Sequence, residues 1–124
     1  FYAVIDTHTS TLTFTIAGQF PFPIIVKKGT SEYLKGTNVP LGLFPQSEYS
    51  SESMSLDDVE TIVVVSDGIL EILPHPTLKE KQNFLLNTAQ NTDITIDRLI
   101  EAFGLKERSS LPDDITFLVV QRRT

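Results

Sequence analysis

Ile62-Val63-Val64-Val65-Ser66-Asp67-Gly68-Ile69-Leu70 is the stretch on which the fold turns. Four β-branched residues in a row read as a strand buried on both faces. Asp67 arrives where that strand ends, and Gly68 lets the backbone turn sharply. A second stretch mirrors the first. Leu111-Pro112-Asp113-Asp114 leads into Ile115-Thr116-Phe117-Leu118-Val119-Val120, so a carboxylate pair stands just before another apolar run. Strands packed on both sides hold their ends rigidly. Carboxylates fixed there suit a hard divalent cation such as Mg²⁺ or Mn²⁺, which takes oxygen ligands.

Upstream of these stretches the pattern is that of strands. Phe1 to Asp6 reads as one strand. Thr11 to Ala17 alternates strictly, with Leu12, Phe14 and Ile16 on one side and threonines on the other, as in a half-buried antiparallel strand. The two form a hairpin across the polar turn Thr7 to Ser10. Pro21 and Pro23 interrupt the run, because proline cannot donate to a ladder. Ile24 to Lys27 is a third strand, with Gly29-Thr30 as its turn and Glu32 to Leu34 as a short fourth. Thr37 to Pro45 reads as a loop. Tyr49 to Leu56 alternates weakly as a further strand, and Asp57-Asp58 is a tight turn feeding the central strand Thr61 to Ser66.

Downstream the period changes. Gly68 to Leu73 is short and helix-like, stopped by Pro74 and Pro76. Thr77 is an N-cap candidate for a helix from Leu78 to about Ala89, with Phe84, Leu85 and Thr88 on one face. Thr95 or Asp93 caps a further helix through Phe103, which Gly104 ends. Ile96, Leu99, Ile100 and Phe103 recur at helical spacing. Ile115 to Arg122 closes the chain as a strand. The order of elements predicts an α+β fold with helices gathered on one face of antiparallel sheet.

Composition narrows the function. The chain has 124 residues with 40% apolar content, enough for one modest core. A net charge of −6 argues against nonspecific nucleic-acid binding and against an electrostatic membrane contact. The absence of cysteine excludes disulfides, thiolate zinc sites and cysteine nucleophiles, and fits a reducing cytoplasm. No apolar run approaches the roughly 18 residues of a membrane span. The chain opens on Phe1, within a strand and without Met, which is expected of a segment of something longer.

Singly, Asp67-Gly68 is an ordinary turn signal and Asp113-Asp114 an ordinary solvated loop. Together they are more specific, because two adjacent strands could bring both to one ion. Crowded carboxylates repel, and a cation keeps them ionised. Such an ion lowers the pKa of bound water and polarises a phosphoryl oxygen. The alternatives are weaker. His8 lies in a polar turn and His75 between two prolines, with no Ser or Asp at triad spacing. Ser66 lacks the Gly-x-Ser-x-Gly setting, and no phosphate-binding glycine loop is present. Arg122-Arg123 reads as a solvated chain end that could pair with phosphate.

Four segments, in order, resemble a known set. Ala17-Gly18-Gln19-Phe20-Pro21 is similar to an Ala-Gly-His-x-Pro segment. Pro40-Leu41-Gly42-Leu43-Phe44 is similar to a Pro-Leu-Gly-hydrophobic loop. Val65-Ser66-Asp67-Gly68-Ile69 resembles a Thr/Ser-Asp-Gly-Val/Ile strand end, and Pro112-Asp113-Asp114-Ile115-Thr116 an Asp-Asp-hydrophobic-Thr terminal motif. The set resembles the C-terminal part of the PPM superfamily of metal-dependent Ser/Thr protein phosphatases. The nearest branch is the bacterial one of sporulation stage II protein E and RsbU.

The resemblance implies a type 2C-like α-β-β-α fold, a β-sandwich of antiparallel sheets flanked by helices and incomplete in this chain. Residues 1–124 would be the C-terminal part of a single phosphatase domain. It implies two Mn²⁺ or Mg²⁺ ions and attack of a metal-bound water on phosphoserine or phosphothreonine. Asp67 and Asp113 would be ligands, Gly68 would shape the site, and Asp114 adjoins it. The expected partners are a phosphorylated regulatory protein such as an anti-sigma-factor antagonist, and an upstream sensor or receiver domain, in a bacterial stress-response setting. A dimer is compatible with this. The competing reading is a non-catalytic adaptor that uses the same sandwich to bind a partner.

Two departures stand out. The family's upstream Gly-Asp motif, whose Asp bridges both metals, lies outside this sequence, and the usual domain is roughly two hundred residues. Gln19 stands where His is common. It keeps a hydrogen-bonding side chain but cannot titrate. Gln19 is expected in a proline-interrupted loop, away from the metals and from the buried strand end. Asp67 and Asp113 are expected at the same end of neighbouring strands, with an exposed sheet face or edge elsewhere.

Overall fold

The computed structural model describes residues 1–91 and 93–123. Its strands are β1 Tyr2–Asp6, β2 Thr11–Thr15, β3 Ile24–Lys27, β4 Thr30–Tyr33, β5 Glu52–Ser55, β6 Val59–Val65 and β7 Phe117–Gln121. Helices α1 Gly68–Ile72, α2 Leu78–Asn91 and α3 Ile96–Ala102 lie between β6 and β7. One antiparallel sheet has the order β1-β2-β5 and the other β4-β3-β6-β7. Their inner faces meet as a sandwich. All three helices pack on the outer face of the four-stranded sheet, so the helices gather on one side as the element order predicts.

Two apolar layers explain the central strand. Between the sheets, Leu12, Phe14 and Ile16 pack against Ile25, Val59 and Ile62. Under the helices, Val63 and Val65 join Ile24 and Val26 against Ile69 and Ile72 of α1, Leu85 and Ala89 of α2, and Leu99 of α3. Alternate residues of β6 therefore serve different layers, which is why its sequence is apolar on both faces. Fully buried side chains such as Leu12, Ile25 and Ile69 each contribute about 2 kcal/mol of transfer free energy.

Several element boundaries differ from the sequence expectation: β2, β5 and β7 are shorter than read, α2 runs on to Asn91, and two strands start earlier. β4 begins at Thr30, paired with Lys27, so the turn is Lys28-Gly29, with Gly29 at φ +80°. β6 begins at Val59 because a register shift between Val26 and Lys27 lengthens its pairing with β3.

Two edges are open. Every residue of β1 is exposed. At the other sheet's edge, Leu118 and Val120 of β7 pair with Val64 and Ile62. They face the space between the sheets, yet Leu118 stays 54% exposed. The outer face of the β1-β2-β5 sheet carries no helix among the described residues. No described helix is long and apolar enough to cross a membrane.

Candidate metal centre

β6 and β7 are antiparallel neighbours. The residues after β6 and those before β7 therefore come to the same end of the sheet. Ser66 joins them. Its backbone N–H donates to the Thr116 carbonyl at 3.0 Å. Its hydroxyl accepts from the Thr116 N–H at 2.9 Å and donates to the Asp114 carbonyl at 3.2 Å. Gly68 adds the second junction. It is buried, and any Cβ there would collide with the Asp114 carbonyl oxygen. Glycine is required at this point by close approach of another backbone, and not by the sharp turn read from the sequence, because Gly68 is the first residue of α1 and has no positive φ.

The carboxylates lie on the rim formed by this junction. Asp67 is the N-cap residue of α1, but its side chain makes no capping hydrogen bond, and it is exposed. Its oxygens face solvent at the end of a buried strand. Asp113 and Asp114 are exposed as well. Asp113 Oδ1 accepts the Asp114 N–H at 2.8 Å, which orients that carboxylate locally. The two acidic segments are thus brought to one rim by Ser66 and Gly68. They do not form a cluster of three: among the described residues no group of three or more His, Cys, Asp or Glu side chains could hold a metal ion. The donors are right in kind for hard divalent cations and fall short of a full oxygen set, which is about six per ion.

Supports of three kinds, supplied by four side chains, are not legible in the sequence. Ser66, the end of the central strand in the sequence, is the bridge between the strand ends. Lys81 Nζ donates to the Leu70 carbonyl at 2.6 Å, and Arg108 Nη2 to the Ile72 carbonyl at 3.0 Å. These cations satisfy carbonyls at the C-terminal end of the five-residue α1 and complement its dipole. Gln19 is the third, and it corrects an expectation. Its Nε2 donates to the Val65 carbonyl at 2.9 Å and to the Pro21 carbonyl at 3.2 Å. It sits beside the buried strand end, two residues from Asp67. A carbonyl left over at the last residue of β6 needs a donor, and a primary amide supplies one without titrating.

Other candidates have structural roles. Arg122 donates to Ser10 Oγ at 2.7 Å and to the Asp57 carbonyl at 3.3 Å, tying together the β1–β2 turn, the β5–β6 turn and the end of β7. Its guanidinium therefore has a structural role at this end of the sandwich. Hydrogen bonds from Ser10 first, then Ser55, hold the Asp57 carboxyl below its ordinary value, with Arg122 charge a smaller aid. The Arg122 end also borders clefts of about 730 and 530 Å³. Those clefts lie at the opposite end of β6 from Asp67, so size does not point to the carboxylate rim. His75 is half-buried and its ring packs at a 37° tilt against Phe84, with centroids 4.7 Å apart.

A family model described as stage II sporulation protein E (SpoIIE) matches residues 1–123. The chain belongs to the stage II sporulation protein E family. Among its relatives, protein IcfG of Synechocystis is 28% identical over 127 residues, which take in 98% of this chain and 20% of that protein. The RsbU and RsbW domains of a Mycobacterium tuberculosis protein superpose with a TM-score of 0.75 at 26% identity, over 98% of this chain and 35% of that one. The PP2C phosphatase domain of Bacillus subtilis SpoIIE, solved with a fragment of its regulatory domain, gives a TM-score of 0.76 at 21% identity, over 96% and 37%. A manganese-presoaked form of that phosphatase domain gives 0.65 at 20% identity, over 97% and 54%. The chain therefore spans about a fifth of the curated relative and between a third and just over half of these structures. The fold is that of PP2C phosphatase domains of the SpoIIE and RsbU branch, and this chain represents part of it.

Proposed function

We propose that residues 1–124 are the C-terminal part of a metal-dependent phosphatase domain acting on phosphoserine or phosphothreonine of a regulatory protein. The observation that carries this reading is the junction at Ser66 and Gly68, which sets Asp67 and the Asp113-Asp114 pair on one rim of a SpoIIE-family fold. Asp67 and Asp113 would hold Mn²⁺ or Mg²⁺, with further ligands supplied from outside this sequence. Two such ions, when bound, would activate water at neutral pH and neutralise phosphoryl charge. Gly68 keeps the strand ends in contact, and Ser66 fixes their spacing. Gln19 holds the last carbonyl of β6, so the turn into Asp67 is rigid. A position within 1 Å matters for such a site. The reading carries with it a cytoplasmic setting, an upstream sensor or receiver domain, and a phosphorylated anti-sigma-factor antagonist as the kind of substrate.

The test is Mn²⁺-dependent hydrolysis by the full-length protein, with p-nitrophenyl phosphate and a phosphoserine protein as substrates. Asp67→Asn and Asp113→Asn should each lower kcat on the order of 100-fold or more, because an amide is a weaker ligand than a carboxylate. Circular dichroism should be unchanged, since both side chains are exposed. Near-normal turnover in either variant would remove that residue from the site. No activity in the unmodified full-length protein would favour the adaptor reading.

A further inference from the structure

Helix α1 depends on other elements for its place. It has five residues, and isolated helices shorter than about 12–15 residues are marginal in water. Asp67 at its N-cap makes no side-chain capping bond, and its last turn holds no basic residue. Pro74 and Pro76 stand four positions beyond Leu70 and Ile72. Neither carbonyl can therefore receive the N–H that a continuing helix would give it. Two cations from elsewhere supply the donors. Lys81 Nζ reaches the Leu70 carbonyl at 2.6 Å, and Arg108 Nη2 reaches the Ile72 carbonyl at 3.0 Å.

The two cations differ in what they bring to α1. Lys81 belongs to α2, which bears neither acidic segment. Arg108 belongs to the connection between α3 and β7, and the same connection carries Asp113 and Asp114. Leu105 and Ile115, near its ends, pack on the core beneath the helices, but no described residue from 106 to 114 belongs to that core. Among the described residues, the Arg108 bond is the one hydrogen bond that joins residues 106–112 to the rest of the chain. The next tie is at Asp114, whose carbonyl accepts from Ser66 Oγ and abuts Gly68. Asp113 therefore lies between two anchors, one at each end of α1. Asp67 is the N-cap of that same helix.

Resting on the phosphatase reading, we propose that Arg108 is a positioning residue for the metal centre: by binding the Ile72 carbonyl it fixes the segment that carries Asp113 against the helix that Asp67 caps. The bond at Ser66 sets one end of that segment, and Arg108 sets the other. With only the Ser66 end held, residues 106–113 sample many backbone conformations, and a cation must order them as it binds. With both ends held, that entropy is lost on folding and the Asp113 carboxylate meets the ion at lower cost. Ser66 and Gln19 act on the end of β6, so Arg108 is the support that acts from the opposite side of the Asp113 segment.

The test uses the full-length protein without substrate. Mn²⁺ binding is measured by calorimetry, and amide hydrogen exchange over residues 106–112 by mass spectrometry. Arg108→Met, which keeps bulk and removes the donor, should raise the Mn²⁺ Kd about tenfold, the effect of losing a group that orients a metal ligand. Exchange over residues 106–112 should quicken with it. Only one guanidinium nitrogen is used, so Arg108→Lys, which keeps a charged donor on a slightly shorter stem, should recover part of the affinity. Thr77→Ala, at the start of α2, is the control for stability alone. It should lower the thermal midpoint and leave the Mn²⁺ Kd as it was. An Arg108→Met protein that binds Mn²⁺ as its parent does overturns the proposal. So does an Arg108→Lys protein no better than Arg108→Met, or a Thr77→Ala protein with an equal loss of affinity. Hydrolysis of p-nitrophenyl phosphate by the unmodified protein separates the two readings. Mn²⁺ binding that depends on Arg108, without hydrolysis, would sink the phosphatase reading and leave the positioning role standing. No Mn²⁺ binding by the unmodified protein would overturn both.

Discussion

Gly68 is the residue where two opposing effects can be weighed. It opens α1, and alanine is favoured over glycine within a helix by about 1 kcal/mol. Against that, the new Cβ would meet the Asp114 carbonyl oxygen. That oxygen belongs to backbone and already accepts from Ser66 Oγ, so it cannot swing away. Overpacking of this kind costs about 1–3 kcal/mol. The clash should win. Gly68→Ala is expected to lower the urea midpoint, with an unchanged slope, and to depress the phosphatase activity proposed for the full-length protein by separating the strand ends. A variant as stable and active as its parent would show that Asp67 and Asp114 need not be held together.

At the scale of the element, α2 shows how a helix start couples to pH. Thr77 and Glu80 form a capping box. Glu80 N–H donates to Thr77 Oγ1 at 3.2 Å, while Glu80 Oε2 accepts from Thr77 N–H at 3.0 Å and from its hydroxyl at 2.7 Å. Thr77→Ala should cost about 1 kcal/mol in denaturant unfolding. The same bonds, the hydroxyl's first, hold the Glu80 carboxyl below its ordinary value of 4.5. A depressed native value means that ionised Glu80 stabilises the fold. That contribution is complete above pH 4.5 and fades as pH falls below it, through the native value. The stability gap between the parent and Glu80→Ala should therefore narrow on acidification in that range. A gap that stays constant down to pH 3 would assign the effect to packing. α3 ends as its sequence suggests: Gly104 at φ +64° donates to Glu101 and Leu105 to Ile100, a Schellman motif.

Across the whole molecule, burial sorts residues that look alike in sequence. Leu12 and Ile25 are fully enclosed between the sheets, and truncation of either to Ala should cost about 2–5 kcal/mol. Val4 is equally β-branched and equally at home in a strand, yet it is 48% exposed on β1. Val4→Ser should change stability by no more than about 0.5 kcal/mol. Equilibrium unfolding of the full-length protein would check both, and similar costs for Val4 and Leu12 would mean that β1 is covered in solution. β6 is covered on both faces by layers within this chain, and an exposed sheet edge was foreseeable from the sequence only in kind. Which strands bear such edges was not.

The strands, their antiparallel order, the late helices and the carboxylates at strand ends were determined by local sequence, because periodicity, proline and capping residues act over a few positions. The two-sided burial of β6 followed from its unbroken β-branched run. Other features were decided only by tertiary structure. Ser66 as a bridge, Gln19 on the Val65 carbonyl, Lys81 and Arg108 on the end of α1, and Arg122 between two turns all join residues far apart in the chain. Each meets a partner that is a backbone group or a hydroxyl, and such partners leave no pattern in sequence. The same holds for Gly68. Its identity suggested a turn, but the need for glycine comes from the Asp114 backbone 46 positions later, brought there by the pairing of β6 with β7.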